Sequence, residues 1–406
     1  MDPTPANKAL SVALIALAQV LALALWFSVT AVAPDLAVQR GLSPVQVGSL
    51  ALAVQLGFVV GGLASAAAGL ADRFDPRDLF SFGALAGAAA NALFLWIDPA
   101  GPFALASRFL VGLSLACVYP VGMKMATSWA TRGDAGLLVG IVVGALTLGS
   151  AAPHGFAWAG GVSWRHGVAA ASVSAVAAAA LIRLSAPGPR QAAASAFSPF
   201  AALEVVRDPA IRLATAGYLG HMWELYAGWT WIGALMAHSF AAGTGKVFTS
   251  GAEKLAAFVI IAAGAAGCVL AGWLADRIGR TTVTIWAMGV SGLACLAFAP
   301  VYGSPPALIL TVGVIWGVAV IADSAQFSAS VAELSPPART GSLLTIQTAL
   351  GFALTAVSIR LLPVWTDVVG WRWAFAPLAL GPAAGIAAMA ALRRRPEALK
   401  LAGGRR

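Results

Sequence analysis

Residues 272–280 read GWLADRIGR, and residues 69–77 read GLADRFDPR. Each copy places an acid and then a base where a long apolar run gives way to a polar turn: Asp72–Arg73 in the first, Asp276–Arg277 in the second. Two further landmarks recur at nearly the same separation. TRGDAG at 131–136 returns as ARTGS at 338–342, matching Arg132 with Arg339, and Trp164–Arg165 returns as Trp371–Arg372. Three landmarks repeated at nearly one offset imply two like halves. They are expected at 1–184 and 210–406, joined by 185–209, a stretch punctuated by Pro187, Pro189, Pro199 and Pro209. The SPFAALEVVRDP part of that link reads equally as a short amphipathic helix or as plain linker.

The 406 residues are 60% hydrophobic and only 10% charged, with a mean hydropathy of +0.85. That is too little charge to cover a soluble protein of this length, but enough for the loops of a membrane protein. Apolar runs fall at 9–32, 46–69, 79–97, 102–126, 136–157, 164–184, 210–238, 254–274, 281–299, 306–330, 341–363 and 371–391. Each is near the roughly 20 residues a crossing needs. The expectation is therefore an all-α membrane protein of twelve transmembrane helices in two six-helix halves. The first run is too long and too weakly basic at its start for a cleaved signal peptide, and eleven more runs follow it.

With the N-terminus inside, seventeen Lys and Arg fall in inner segments and six in outer ones, while Arg108 and Lys124 lie within spans. This bias places both termini on the cytoplasmic side. The net charge of +9 thus reads as topology and not as a nucleic-acid surface. Cys117, Cys268 and Cys295 sit in apolar runs without repeated spacing, which predicts neither disulfides nor a metal site. A nucleotide loop, a metal-ligand cluster and a soluble domain are all missing from the sequence, so no enzyme, cofactor or metal is expected.

The spans keep a few polar groups. GHMWELYAGWTW at 220–231 holds His221 and Glu224 one turn apart, with Tyr218 one turn earlier. Counted from Arg212, Glu224 lies about 18 Å along the helix, close to the bilayer midplane. A carboxylate facing lipid there costs about 2.5–3.5 kcal/mol or more, so it must face protein or a water-filled path. It reads either as an interhelical lock or as a proton-titratable or substrate-contacting group whose charge state His221 influences. Asp323 and Gln326 lie one turn apart in the tenth run, on a face that carries Trp316; Gln19 and Trp26 share a face of the first, and Gln55 is central in the second. Arg108 and Tyr119 share a face of the fourth, and Lys124, near its inner end, reads as a path residue or as a snorkelling cation. Gln347 and His154 read as interhelical hydrogen-bonding groups or substrate contacts. The runs third, sixth, ninth and twelfth in order are poorest in ionisable groups and are expected to be peripheral.

Two parallel six-helix halves with an Asp-Arg-x-Gly-Arg loop after the second helix of each resemble the major facilitator superfamily. Gly272, Asp276, Arg277, Gly279 and Arg280 fit its loop pattern fully; the first copy keeps Asp72, Arg73 and Arg77, with Ala68 and Asp75 in glycine positions. Arg108 and Gly112 resemble its fourth-helix motif, whose Arg is linked to proton coupling. The texture is similar to bacterial cyanate or nitrate/nitrite permease-like members. The nitrate branch, however, carries an Arg in the second helix of each half, where this chain has Gln55 in one and no Arg in the other. The resemblance implies a carrier that works by alternating access as a monomer, with the two loops as gating motifs. Its expected partners are lipids, protons and a small polar or anionic substrate. A drug/proton antiporter is the alternative, though Pro153 falls late for that group's fifth-helix motif; a receptor or assembly factor without transport is the second.

Overall fold

In a computed structural model, residues 5–131, 134–161, 163–190, 197–245, 251–336 and 339–406 are described. Arg132, Lys246 and positions 191–196 of the link lie outside them. Among the described residues every regular element is helical. That is the expected solution for so apolar a chain, because a helix pairs its backbone N–H and C=O groups within itself and leaves none to the lipid.

The helices are α1 Pro5–Leu23, α2 Ala33–Arg40, α3 Pro44–Ala68, α4 Leu70–Arg73, α5 Pro76–Leu93, α6 Pro102–Leu115, α7 Tyr119–Thr127, α8 Ala135–Ala159 and α9 Trp164–Leu181. There follow α10 Ala201–Arg207, α11 Pro209–Thr244, α12 Ala252–Ile278, α13 Arg280–Val301, α14 Pro306–Ala322, α15 Ser324–Leu334, α16 Thr340–Val369 and α17 Leu380–Arg393. Starts follow the local chemistry. Asp208 caps α11 by accepting from the N–H groups of Ala210 (2.8 Å) and Ile211 (3.0 Å), with Pro209 as its first residue. Ser43 and Gln46 form a reciprocal box at the start of α3.

Nine helical stretches among the described residues are long and apolar enough to cross a membrane, with α6–α7, α14–α15 and the segment ending in α17 each counted as one. The chain is thus a multi-pass membrane protein. It divides into two compact units, Met1–Ala194 and Ser195–Arg406.

Not every expected run is one continuous helix. The first, 9–32, leaves the helix after Leu23 and resumes as a short 3-10 turn at Thr30–Val32. The carbonyls of Leu25 and Trp26 accept instead from the Arg108 guanidinium. The fourth run breaks between α6 and α7, where Pro120 has no N–H and its ring crowds the carbonyl of Ala116. The tenth is interrupted at Asp323, between α14 and α15.

The repeat reappears as paired contacts. Arg165 donates to the carbonyl of Leu95 (2.8 Å), just past α5, and Arg372 donates to that of Ala299 (3.0 Å), late in α13. The matched Trp-Arg pairs therefore do the same job in each unit. Within the second unit, α10 forms inside the 185–209 link, buries Ala201 and Val205, and is tied by Glu204 to Arg339.

Candidate functional site

The second unit buries a carboxylate among neutral donors. Glu224 on α11 is 1% exposed. Its Oε1 accepts from the Trp316 indole N–H (2.8 Å) and the Cys295 thiol (3.1 Å), and its Oε2 accepts from the Ser291 hydroxyl (2.9 Å). Trp316 lies at this spot because α11 carries a glycine one turn beyond Glu224. A Cβ at Gly228 would fall 2.3 Å from Trp316 Cζ2. The indole is held edge-on by Phe298 and Phe375, at ring separations of 6.3 and 5.5 Å. Three hydrogen bonds offset part of the desolvation of a carboxylate this deep, but none of the three donors carries an opposite charge.

His221 takes a different partner from the one its spacing suggests. Its Nδ1 lies 2.8 Å from Asp323 Oδ1, and both side chains are buried. The ring sits between Tyr218 and Phe327, at 6.1 and 5.7 Å. The bend at Asp323 puts that carboxylate against α11, one turn before Glu224. His221, Glu224, Asp323 and Trp316 thus form one buried group in the second unit.

The other candidates are engaged elsewhere. In the first unit Arg108, 1% exposed, donates to the carbonyls of Leu25 (2.8 Å) and Trp26 (3.1 Å), to Ser28 Oγ (3.2 Å) and to Asn91 Oδ1. It replaces the helical hydrogen bonds that α1 gives up after Leu23. Trp26 packs on Phe58 with ring centroids 4.8 Å apart. Gln19 Nε2 donates to the carbonyl of the half-buried Tyr119 (3.0 Å), tying α1 to α7. Gln55 is buried, and neither of its amide atoms meets a partner among the described residues; the same holds for Gln347 on α16.

Lys124 and Gln326 join the two loop motifs. Lys124 Nζ pairs with Asp72 and donates to the carbonyl of Ala71 (2.8 Å). In the same loop Arg73 is exposed, and Arg77 pairs with Asp75 at 2.7 Å. In the second copy Arg280 forks onto Glu333 (2.9 and 2.6 Å), reaches Gln326 Oε1 (2.8 Å) and lies 3.6 Å from Asp276. Arg277 lies over the Trp273 ring at 3.7 Å, and Gly272 is buried. The C-terminal residues fold onto this loop. The Ala402 N–H donates to Glu333 Oε2 (2.9 Å), the Thr281 hydroxyl donates to the carbonyl of Arg406 (3.0 Å), and Arg405 donates to the carbonyl of Asp276.

Ser291, Cys295 and Glu333 were not singled out by the sequence. The first two lie in the ninth run, which is poor in ionisable groups, and α13 turns them toward Glu224. Glu333 had a weak signal, an acid in the turn after the tenth run. Among the described residues no group of three or more His, Cys, Asp or Glu is placed to hold a metal.

The family model of the Major Facilitator Superfamily matches residues 15–322 and again 254–406. A crystal structure of a mutant of the nucleoside transporter NupG is similar with a TM-score of 0.72 at 12% identity, over 95% of this chain and 99% of that one. At that identity the likeness speaks for the fold alone. No curated protein matches the chain.

Proposed function

The chain belongs to the Major Facilitator Superfamily, and from that premise we propose a proton-coupled secondary carrier of a small polar or anionic metabolite. It is a membrane transporter moving a solute across a membrane; the coupling, the substrate class and the alternating-access cycle are the proposal. The observation that carries it is Glu224, a fully buried carboxylate held by neutral donors alone. Such a group can gain and lose a proton without breaking an ion pair, and a carrier needs that from a coupling site. The unpartnered amides of Gln55 and Gln347 favour a polar solute, since a buried amide without a partner costs about 1–3 kcal/mol that a hydrogen-bonding ligand recovers.

In this reading α1, α5 and α11 span the membrane beside the nine long apolar stretches, giving twelve spans in two sets of six, in a bacterial inner membrane with both termini cytoplasmic. The repeated Arg165 and Arg372 contacts support the two like halves. The two loop motifs bias the equilibrium between open states, and the carrier acts as a monomer.

The test uses proteoliposomes with an internal pH dye, challenged with organic acids, nucleosides and amino acids and, separately, with amphipathic cationic dyes. A polar metabolite is expected to move protons with it. Glu224→Gln is expected to abolish accumulation driven by a pH gradient while counterflow without a gradient survives. Accumulation by that variant at the normal level removes Glu224 from the coupling role. Proton flux with the dyes alone replaces this reading with drug export, and flux with neither supports a receptor.

A further inference from the structure

Donor counting around Glu224 separates its two oxygens. Oε1 accepts from Trp316 and Cys295. An indole N–H can only donate, and a thiol is a poor acceptor, so a proton on Oε1 would point at groups that take its hydrogen bond weakly or not at all. Oε2 faces Ser291 at 2.9 Å. A hydroxyl carries one hydrogen and two lone pairs, and a second acceptor for that hydrogen is already within reach, the Met288 carbonyl at 3.3 Å. Ser291 is buried on α13 and belongs to the same helical turn as Met288, so the change needs rotation of a hydroxyl and no movement of a helix.

We infer that Ser291 is the positioning residue for the transported proton. With Glu224 ionised, the Ser291 hydroxyl donates to Oε2. When the proton arrives on Oε2, the Ser291 hydrogen turns to the Met288 carbonyl and the serine oxygen accepts from the new carboxyl O–H. Trp316 and Cys295 hold Oε1 in both states. No bond other than O–H is made or broken, and each polar atom keeps a partner throughout. The inference rests on the reading of Glu224 as the proton carrier.

The groups that act on this site are few. From α13 comes the Cys295 thiol, from α14 the neutral Trp316 indole, and from the α14–α15 bend the Asp323 carboxylate; on α11 itself His221 is turned to Asp323. The other elements packed on α11, namely α10, α12, α16, α17 and the 3-10 turns at Trp371–Trp373 and Ala376–Ala379, bring no titratable side chain among those that act on Glu224; Arg372 is turned to the Ala299 carbonyl. Charge on the Asp323–His221 pair is therefore the one background that the measurement must hold constant.

The test is infrared titration of the full-length protein in liposomes of phosphatidylethanolamine and phosphatidylglycerol, following the protonated carboxyl C=O band that Glu224→Gln removes. Ionised carboxylates gain more from a donor than neutral carboxyls gain from an acceptor. Ser291→Ala is thus expected to move the midpoint of that band to higher pH by about one unit, and Ser291→Thr, which restores a hydroxyl, to bring it back. Trp316→Phe is expected to raise the band frequency, because it strips a donor from the carbonyl oxygen, and to raise it more than Ser291→Ala does. A midpoint unchanged in Ser291→Ala, or a frequency shift in that variant as large as in Trp316→Phe, overturns the assignment of the proton to Oε2 through Ser291. A wild-type protein with no titrating band lost in Glu224→Gln removes the carrier reading itself, and that failure is distinct from the other two.

Discussion

The two Asp-Arg loops began from nearly the same words and are held in different ways. In the first, Asp72 pairs with Lys124, while Asp75 and Arg77 pair with each other across a turn at the surface. In the second, Arg280 is largely buried and ties together α12, α13 and α15, binding Glu333 through Nε and Nη2 and Gln326 through Nη1, with Asp276 nearby. One position accounts for much of the difference. Gly279 stands where the first copy has Asp75, with φ of 97°, and a Cβ there would fall 1.9 Å from the carbonyl of Arg406. The glycine admits the C-terminal residues against the loop; Asp75 serves instead as a helix cap. A short motif thus specifies a turn, and its surroundings decide whether that turn becomes a joint or stays a surface feature.

The largest expected effect is at Arg280. Removing one partner of a well-made ion pair leaves the other unsatisfied, a loss of several kcal/mol for buried pairs. Glu333 keeps 29% side-chain exposure, so Arg280→Ala is expected to cost about 2 kcal/mol by thermal unfolding in detergent. Arg280→Lys should recover only part, because an ammonium lacks the fork. Equal losses in Arg77→Ala and Arg280→Ala would erase the contrast between the loops.

Gly279→Ala comes next. Left-handed strain contributes about 1 kcal/mol, and the clash with the Arg406 carbonyl adds to it. Deleting residues 405–406 should relieve the second part alone. A double-mutant cycle is expected to show coupling of about 1 kcal/mol between the substitution and the deletion. Additive effects would mean that the C-terminal residues are not held by this glycine.

Asp75→Ala removes a cap, with an expected loss of about 1 kcal/mol or less at neutral pH. The Arg77 side chain holds the Asp75 carboxyl below its ordinary value of 3.8. Its folded value being depressed, the contribution is complete above that pH and is lost as pH falls through the folded value. The gap between variant and wild type should therefore close in strongly acidic buffer, and a gap constant down to pH 3 would contradict the Arg77 pairing. The smallest effect belongs to Asp72→Asn. Its pair with Lys124 leaves each side chain 31% exposed, and such a pair is worth about 0.5 kcal/mol, falling with added salt.

The sequence by itself determined the membrane class, the apolar runs and the repeat. Those features depend on burial summed over local windows, and it matters little which neighbour does the burying. Glu224 was legible as a buried group for the same reason: its cost in hydrocarbon depends on depth alone. The partners were decided only by the tertiary structure. Trp316 reaches Glu224 across 92 positions of chain, and Arg280 meets Glu333 across 53. His221, three residues from Glu224, turns to Asp323 instead. A hydrogen bond acts within about 3 Å and along one direction, so a small change in helix rotation or the site of a bend changes its partner. Lys124 and Gln326 meet the loop motifs in that way, and Ser291 and Cys295, in an apolar run, were brought to the carboxylate.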